Sequence, residues 1–130
     1  MNSNANDLLK KTRFDYFRRN RALLETLYYC FELSGLNYEE IAEHLEKEGE
    51  NTAGLLIRLE RGIELELIIH NRVSSLKERK YYIASEGKNL YELHELSISI
   101  CEDTIRSAME IKKGIEEIIR KEDEKTKYII

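Results

Sequence analysis

The hydrophobic positions along the chain recur with a helical period in most segments and with a strand period in one. Apolar side chains spaced three and four residues apart run from about Asp7 to Leu33. Ser34 and Gly35 end this pattern, which predicts one N-terminal helix, or two in tandem, over residues 8–33. The side chains expected on its buried side are Leu23, Leu24, Leu27, Cys30 and Phe31.

A short second helix is predicted to begin after Asn37. The Asn37 side chain can accept a hydrogen bond from the first turn, and Glu39 and Glu40 place carboxylates where a helix N-terminus favours negative charge. A third helix follows a break at Gly49. The residues expected to be buried by these two helices are Ile41, Ala42, Leu45, Leu55, Leu56 and Leu59.

The third helix is expected to be capped by Asn51 or Thr52 and to end at Gly62. From Ile63 the period changes to two, which predicts a half-buried strand over residues 63–69. A short connection at residues 74–75 leads to a second predicted strand over residues 78–84. The sequence therefore predicts a β-hairpin with basic residues near its tip.

The last predicted helix begins near Glu86, after a capping hydroxyl at Ser85, and continues to about residue 125. Its expected buried stripe contains Leu90, Leu93, Ile98, Cys101, Ile105, Ala108, Met109, Ile115 and Ile119. At about 1.5 Å per residue this helix is about 50 Å long, whereas a 130-residue globule is only about 35 Å across. We expect a second copy of the chain to cover the stripe, which predicts a homodimer with coiled-coil character.

Composition is typical of a folded, soluble domain with an ionic surface. The chain has 130 residues, of which 42% are hydrophobic and 35% are charged. This length predicts one domain over residues 1–130, divided into an N-terminal helix (8–33), a central part (37–84) and a long C-terminal helix (86–125). No apolar run approaches the roughly 18 residues that a membrane span needs, and the first residues do not resemble a secretory signal. We therefore expect a cytoplasmic location and no membrane partner.

The charges are unevenly distributed around a net charge of −4. Residues 1–21 and 72–88 are basic, whereas residues 32–50 are acidic. Catalytic patterns are absent from the sequence, since His44, His70 and His94 are far apart and the glycines form no phosphate-binding loop. The sequence therefore predicts neither an enzyme nor a cofactor or metal site.

Three segments resemble the winged helix-turn-helix regulators of the MarR, PadR and ArsR class, which are found in prokaryotes and archaea. "EEIAEHL" (39–45) resembles the first helix of the turn motif, and "TAGLLIRLERGIELE" (52–66) resembles a recognition helix that leads into the wing. "RKYYIASEGKNLYEL" (79–93) is similar to the family's exit from the wing into the dimerisation helix, with Gly87 at the tight turn. Ala84 and Ser85 stand where the family usually has Leu and Thr.

The resemblance implies a mainly α, α+β winged-helix fold that binds double-stranded DNA as a homodimer and regulates transcription. The third helix would enter the major groove, and the wing would contact phosphates or the minor groove. Basic residues of the N-terminal arm, Lys10 to Arg21, would track the backbone beside the site. The residues expected to contact DNA are Asn51, Thr52, Arg58, Arg61, Arg72, Lys77, Arg79 and Lys80.

Two other interpretations of the same residues stay open. An outward-pointing Ile57 would make the groove-facing surface partly apolar, which favours a protein-interaction module that binds no DNA. A small-molecule effector could also dock between the long helix and the rest of the domain, beside Tyr28, Tyr29 and Cys30, as in some relatives of the class. Packing against the long helix explains those three residues equally well.

Overall fold

The computed structural model is mainly helical and contains one small antiparallel sheet. It describes residues 3–30 and 35–127. In chain order, the elements of these residues are α1 (Ser3–Arg19), α2 (Arg21–Tyr29), α3 (Tyr38–Lys47), α4 (Leu55–Glu64), β1 (Ile68–His70), β2 (Tyr81–Ile83) and α5 (Ser85–Lys127). The predicted mixture of helices, one hairpin and a long C-terminal helix is thereby confirmed.

The chain forms two compact units, Met1–Leu93 and His94–Ile130. We call the described residues of the first unit the body and those of the second, 94–127, the C-terminal unit. The body contains the hydrophobic core, whereas every side chain from Leu96 to Thr126 is exposed. Within residues 3–30 and 35–127, no helix combines the length and apolar character needed to cross a membrane.

The N-terminal region forms two helices in tandem, separated at Asn20. The Asn20 side chain is buried, and its Nδ2 donates a hydrogen bond to the Tyr16 carbonyl oxygen at 2.9 Å. Leu23, Leu24 and Leu27 are buried as predicted, and Cys30 is half-buried. α2 ends at Tyr29, and the predicted helical residues 31–33 lie outside the described part of the chain.

The predicted start of α3 is confirmed in atomic detail. Asn37 Oδ1 accepts a hydrogen bond from the Glu40 N–H at 2.8 Å, and Glu40 Oε1 accepts one from the Asn37 N–H at 3.0 Å. This reciprocal capping box satisfies two backbone donors that a helix otherwise leaves without partners. Ile41 and Leu45 consequently lie on the buried face of α3.

The predicted capping of the third helix by Asn51 or Thr52 is wrong. Asn51 Oδ1 instead accepts a hydrogen bond from the Ala53 N–H at 2.8 Å and forms a turn before the helix. Gly54, in the left-handed region with φ of 64°, occupies the cap position. α4 therefore begins at Leu55, and it continues two residues beyond the predicted end at Gly62.

The strand predicted over residues 63–69 is also wrong in its first half. Glu66 adopts a left-handed φ of 62°, the Leu67 N–H donates to the Gly62 carbonyl at 2.9 Å, and the Glu66 N–H donates to the Ile63 carbonyl at 3.0 Å. These two bonds form a Schellman end to α4. Arg13 supports that end because its Nε donates to the Leu65 carbonyl at 2.9 Å.

The hairpin is consequently shorter than predicted, and the first strand departs from the predicted alternation at Ile68 and Ile69. Ile68 is fully buried and Ile69 is 52% exposed, whereas a period of two counted from Ile63 places Ile69 on the buried face and Ile68 on the other. β1 pairs with β2 in antiparallel register, with Ile68 opposite Ile83. A ten-residue loop over 71–80, which we call the hairpin loop, replaces the short connection predicted at residues 74–75.

The change from strand to long helix depends on a close approach at Gly87. A β-carbon at this position would overlap the Leu67 carbonyl oxygen and would lie 2.9 Å from Ile83 Cγ1. The Ala84 N–H donates to the same Leu67 carbonyl at 2.9 Å, which holds the start of α5 against β1. One turn later, the buried ring of Tyr91 packs edge-on against Phe17.

Candidate nucleic-acid interface

The eight predicted DNA-contacting residues all lie on the turn before α4, on α4 itself or on the hairpin loop. The turn residues contribute mainly to local structure. The side chain of Asn51 bonds the Ala53 N–H, and the Thr52 carbonyl accepts a hydrogen bond from the Leu55 N–H at 3.2 Å. Asn51 is exposed and Thr52 is half-buried.

Arg58 joins α4 to the α1–α2 junction. Its Nε donates to Asn20 Oδ1 at 2.6 Å, and its Nη1 donates to the Asn51 carbonyl at 2.8 Å. The Tyr16 hydroxyl donates to the Arg58 carbonyl at 2.7 Å, and burial raises the pKa of Tyr16, so this donor keeps its proton. Arg58 therefore orients α4 through three hydrogen bonds.

The exposed face of α4 carries more negative than positive charge. Arg61 Nη1 lies 2.9 Å from Glu64 Oε2, and Glu60 completes a set of two carboxylates and one guanidinium. Ile57 lies on the same face and is 75% exposed. Unaided, this face repels a polyanion, so phosphate contacts must come from neighbouring segments.

The hairpin loop is fixed against the helices by its last two cations. Arg79 Nε donates to the Val73 carbonyl at 3.0 Å, and Arg79 Nη1 lies 3.4 Å from Glu60 Oε1 on α4. Lys80 Nζ lies 3.3 Å from Glu40 Oε1 at the start of α3. Both cations are thus committed to intramolecular ion pairs that hold the loop beside α3 and α4.

Arg72 and Lys77 are the two loop cations that face solvent. Both are exposed, and neither forms an ion pair with any residue in the part of the chain that the structure describes. Arg72 has a left-handed φ of 60°, and its N–H donates to His70 Nδ1 at 2.9 Å. Lys77 borders a cavity of about 330 Å³ that is lined also by Tyr38 and Leu56. The loop therefore presents its free charge next to the start of α4.

A second cavity, of about 560 Å³, lies between α1 and α4. Arg19, Arg58 and Arg61 line it together with Asp15 and Glu50. Arg19 is exposed and, among the described residues, has no ion-pair partner. Arg19 lies in the basic arm, Lys10 to Arg21, that was expected to track the DNA backbone, although it was not among the eight individually predicted contact residues.

Tyr28 and Tyr29, which were considered as part of an effector site, lie in different environments. The Tyr28 and Tyr91 ring centroids lie 4.5 Å apart, and the Tyr28 hydroxyl donates to Glu92 Oε1 at 3.0 Å. That hydrogen bond raises the pKa of Tyr28. Tyr29 is 69% exposed. Packing thus accounts for Tyr28, which leaves an effector at this position unsupported.

In the comparisons with known proteins, no family model, no curated protein and no solved structure matches the chain. Among residues 3–30 and 35–127, no group of three or more His, Cys, Asp or Glu side chains has the proximity that a metal ion needs. The functional assignment therefore depends on the geometry of the interface itself.

Proposed function

We propose that this chain is a winged-helix transcriptional regulator that binds double-stranded DNA in the cytoplasm as a homodimer, without catalytic activity or a cofactor. α3 and α4 would form the helix-turn-helix, and the hairpin loop would be the wing. The observation that carries the proposal is the hairpin loop, which Arg79 ties to α4 while Arg72 and Lys77 point to solvent. A helix that enters the major groove and an adjacent basic loop on the backbone is the arrangement by which such domains bind DNA.

The positions of the cations suggest that different residues position the protein on the duplex and recognise its sequence. Phosphate contacts fix a protein on the duplex, whereas base-edge contacts specify the sequence. Arg72, Lys77 and Arg19 have the free charge for phosphates, and Arg61 is the cation on α4 that can reach a base edge by leaving Glu64. Because Arg58 is held by Asn20 and Asn51, we assign it to the orientation of α4 rather than to the reading of bases.

Dimerisation would double the number of cations available to one duplex. The exposed apolar side chains of α5 include Ile105, Met109 and Ile115, which are 59%, 66% and 52% exposed. Apolar stripes of this kind on a helix are typically covered by another helix. Two copies together would supply two hairpin loops, four free loop cations and two recognition helices for one duplex.

A salt titration of duplex binding tests the proposal. Arg72→Gln with Lys77→Gln removes two positive charges from each hairpin loop, and Lys113→Gln with Lys121→Gln removes two from the exposed surface of α5. We expect the loop variant to bind every duplex more weakly and to lower the slope of log K against log salt by about 2 to 4, since each lost phosphate contact lowers it by about 1. The α5 variant should bind like the wild type. Equal losses in the two variants, or no duplex binding by the wild type at low salt, would contradict the proposal.

A protein-interaction module is the second candidate, and the 75% exposure of Ile57 favours it. Leu76, which is 46% exposed, adds apolar surface to the cavity beside Leu56. Apolar surface of this kind suits a protein partner better than phosphates. Binding of the wild type to duplex DNA at low salt distinguishes the candidates, because the DNA-binding function requires it and a protein-interaction module does not. Failure of the wild type to bind any duplex at low salt would favour the protein partner.

A further inference from the structure

The exposed face of α5 beyond Leu93 has a heptad pattern that contains one charged position. Ile98, Ile105 and Ile119 occupy positions a of this pattern, and Cys101, Ala108 and Ile115 occupy positions d. Lys112 takes the remaining position a, between Ile105 and Ile119 in the apolar stripe. All of these side chains are exposed in the single chain. The face is thus suited to a helical partner that can accommodate one ammonium group.

The apolar area of this face is close to that of a stable interface. Seven large side chains contribute to it, with exposed fractions between 37% and 66%: Ile98, Ile105, Met109, Ile111, Ile115, Ile118 and Ile119. At about 100 Å² each they would bury about 700 Å² per copy, compared with about 800 Å² per partner in a standard interface. A single partner helix of the same length can therefore cover it.

A parallel pair in register would place each residue against its own copy. Lys112 would then face a second Lys112 inside the apolar seam, and like charges directly opposite each other are destabilising. Ala108 would face Ala108, which leaves the seam underpacked at that level. The residues of the stripe therefore disfavour the parallel arrangement at two adjacent levels.

An antiparallel pair removes both conflicts. When Ile98 lies opposite Ile115 of the second copy, Ile105 lies opposite Ala108, so that a large side chain meets a small one. In the same register Lys112 lies opposite Cys101, and Glu102 of the second copy is the next residue along the chain. Lys112 Nζ already lies 4.0 Å from Glu116 Oε1 of its own helix, and the exposed Glu102 would add a second carboxylate from across the seam.

We propose that α5 pairs with α5 of a second copy in antiparallel orientation, with Cys101 of each copy opposite Lys112 of the other. The pairing rests on the homodimer of the proposed function and specifies which residues meet. Disulfide cross-linking tests it directly, because a disulfide forms only between cysteines whose Cα atoms lie within about 7 Å. Residues 101 and 112 of one helix are about 16 Å apart, so their cross-link must join two copies.

Three variants in a Cys30→Ser background distinguish the arrangements when they are incubated with oxidised glutathione, which accepts the two electrons released as each disulfide forms. The first retains Cys101 alone, the second adds Lys112→Cys, and the third adds Ile119→Cys, which would meet Cys101 only if the register were shifted by one heptad. We expect most of the Lys112→Cys chains to migrate as a covalent dimer on a non-reducing gel. The other two variants should migrate as monomers.

Each alternative result overturns the pairing. Efficient cross-linking through Cys101 alone would indicate a parallel dimer, cross-linking of the Ile119→Cys variant would indicate the shifted register, and a monomer in sedimentation at micromolar concentration would exclude both. The failures of the two proposals are distinguishable. A parallel dimer with salt-dependent duplex binding would overturn only the pairing, whereas an antiparallel dimer without duplex affinity would overturn only the DNA-binding function.

Discussion

The body and the C-terminal unit have the same helical spacing of apolar residues, but their apolar side chains end in opposite environments. In the body, Leu23, Ile41 and Leu59 are fully buried by other segments of the chain. In the C-terminal unit, Ile105 and Ile115 have the same spacing and are 59% and 52% exposed. A period of three and four residues therefore predicts which face of a helix is apolar, but not which element covers it.

This difference separates two sources of stability. The core of the body is formed within one chain, so its unfolding free energy does not depend on protein concentration. A face that only a second copy covers is stabilised by mass action and weakens on dilution. Truncation of one apolar side chain in each region should distinguish these two sources.

Leu59→Ala and Ile105→Ala are the matched pair with the largest expected effects. Leu59→Ala leaves a cavity in the core and should lower the unfolding free energy of the body by about 2–5 kcal/mol at every protein concentration. Ile105→Ala should leave the body's stability unchanged and raise the dissociation constant of the proposed dimer tenfold or more, since about 1.4 kcal/mol corresponds to each factor of ten. Urea unfolding followed by tyrosine fluorescence measures the first effect, and sedimentation equilibrium measures the second. A loss of unfolding free energy of the body in Ile105→Ala would contradict the view that the two units are stabilised independently.

Glycine-to-alanine substitutions at two positions of α5 extend this contrast between the two units, because the same change should lower the stability at one position and raise it at the other. At Gly87 the added methyl group would overlap the Leu67 carbonyl oxygen, so we expect a loss of about 1–3 kcal/mol. At Gly114 nothing lies within 4 Å of the added carbon, and alanine should stabilise the helix by about 0.5–1 kcal/mol. Thermal unfolding followed by circular dichroism measures both. A stabilising Gly87→Ala would show that the start of α5 does not need this close approach.

The parts of the fold that were predicted correctly depend on neighbours in sequence. The capping box of α3 requires only Asn37 and Glu40, three residues apart, and both bonds are present. The strand predicted from Ile63 failed because its alternating pattern also fits the last turn of a helix. Glu66 takes the left-handed position that glycine usually fills, and the distant Arg13 bonds the adjacent Leu65 carbonyl, so no local signal marked the helix end.

The candidate interface shows the same limit. The distribution of charge identified Arg58, Arg79 and Lys80 as cations near the proposed groove, but their partners are 19 to 40 residues away in sequence. Glu60 pairs with Arg79, Glu40 pairs with Lys80, and Asn20 accepts from Arg58. Which cations remain free is decided by these tertiary contacts, and it is the free ones, Arg72 and Lys77, that the proposed function uses.

The smallest expected effect concerns Glu40, whose carboxylate connects the start of α3 to the hairpin loop of the body. The hydrogen bond from the Asn37 N–H, assisted by Lys80, lowers the pKa of Glu40 below its usual value of 4.5. A carboxyl group with a lowered folded-state pKa stabilises the fold above its unfolded pKa and loses that contribution as pH falls through the folded pKa. Glu40→Gln should therefore be less stable than the wild type by up to about 1 kcal/mol at neutral pH, because the amide can still accept from Asn37 but forms no ion pair.

Urea unfolding of both proteins between pH 7 and pH 3 measures this difference. It should be constant down to about pH 5 and should shrink below the usual pKa of 4.5 as Glu40 becomes protonated in the wild type. Glu39→Gln is the matched control, since it removes the same charge from the first turn of α3 without touching the bond to Asn37. A Glu40→Gln difference that widens on acidification would mean that the carboxylate does not stabilise the link between α3 and the loop. The fixed position of the hairpin loop would then depend on Arg79 and Glu60 alone.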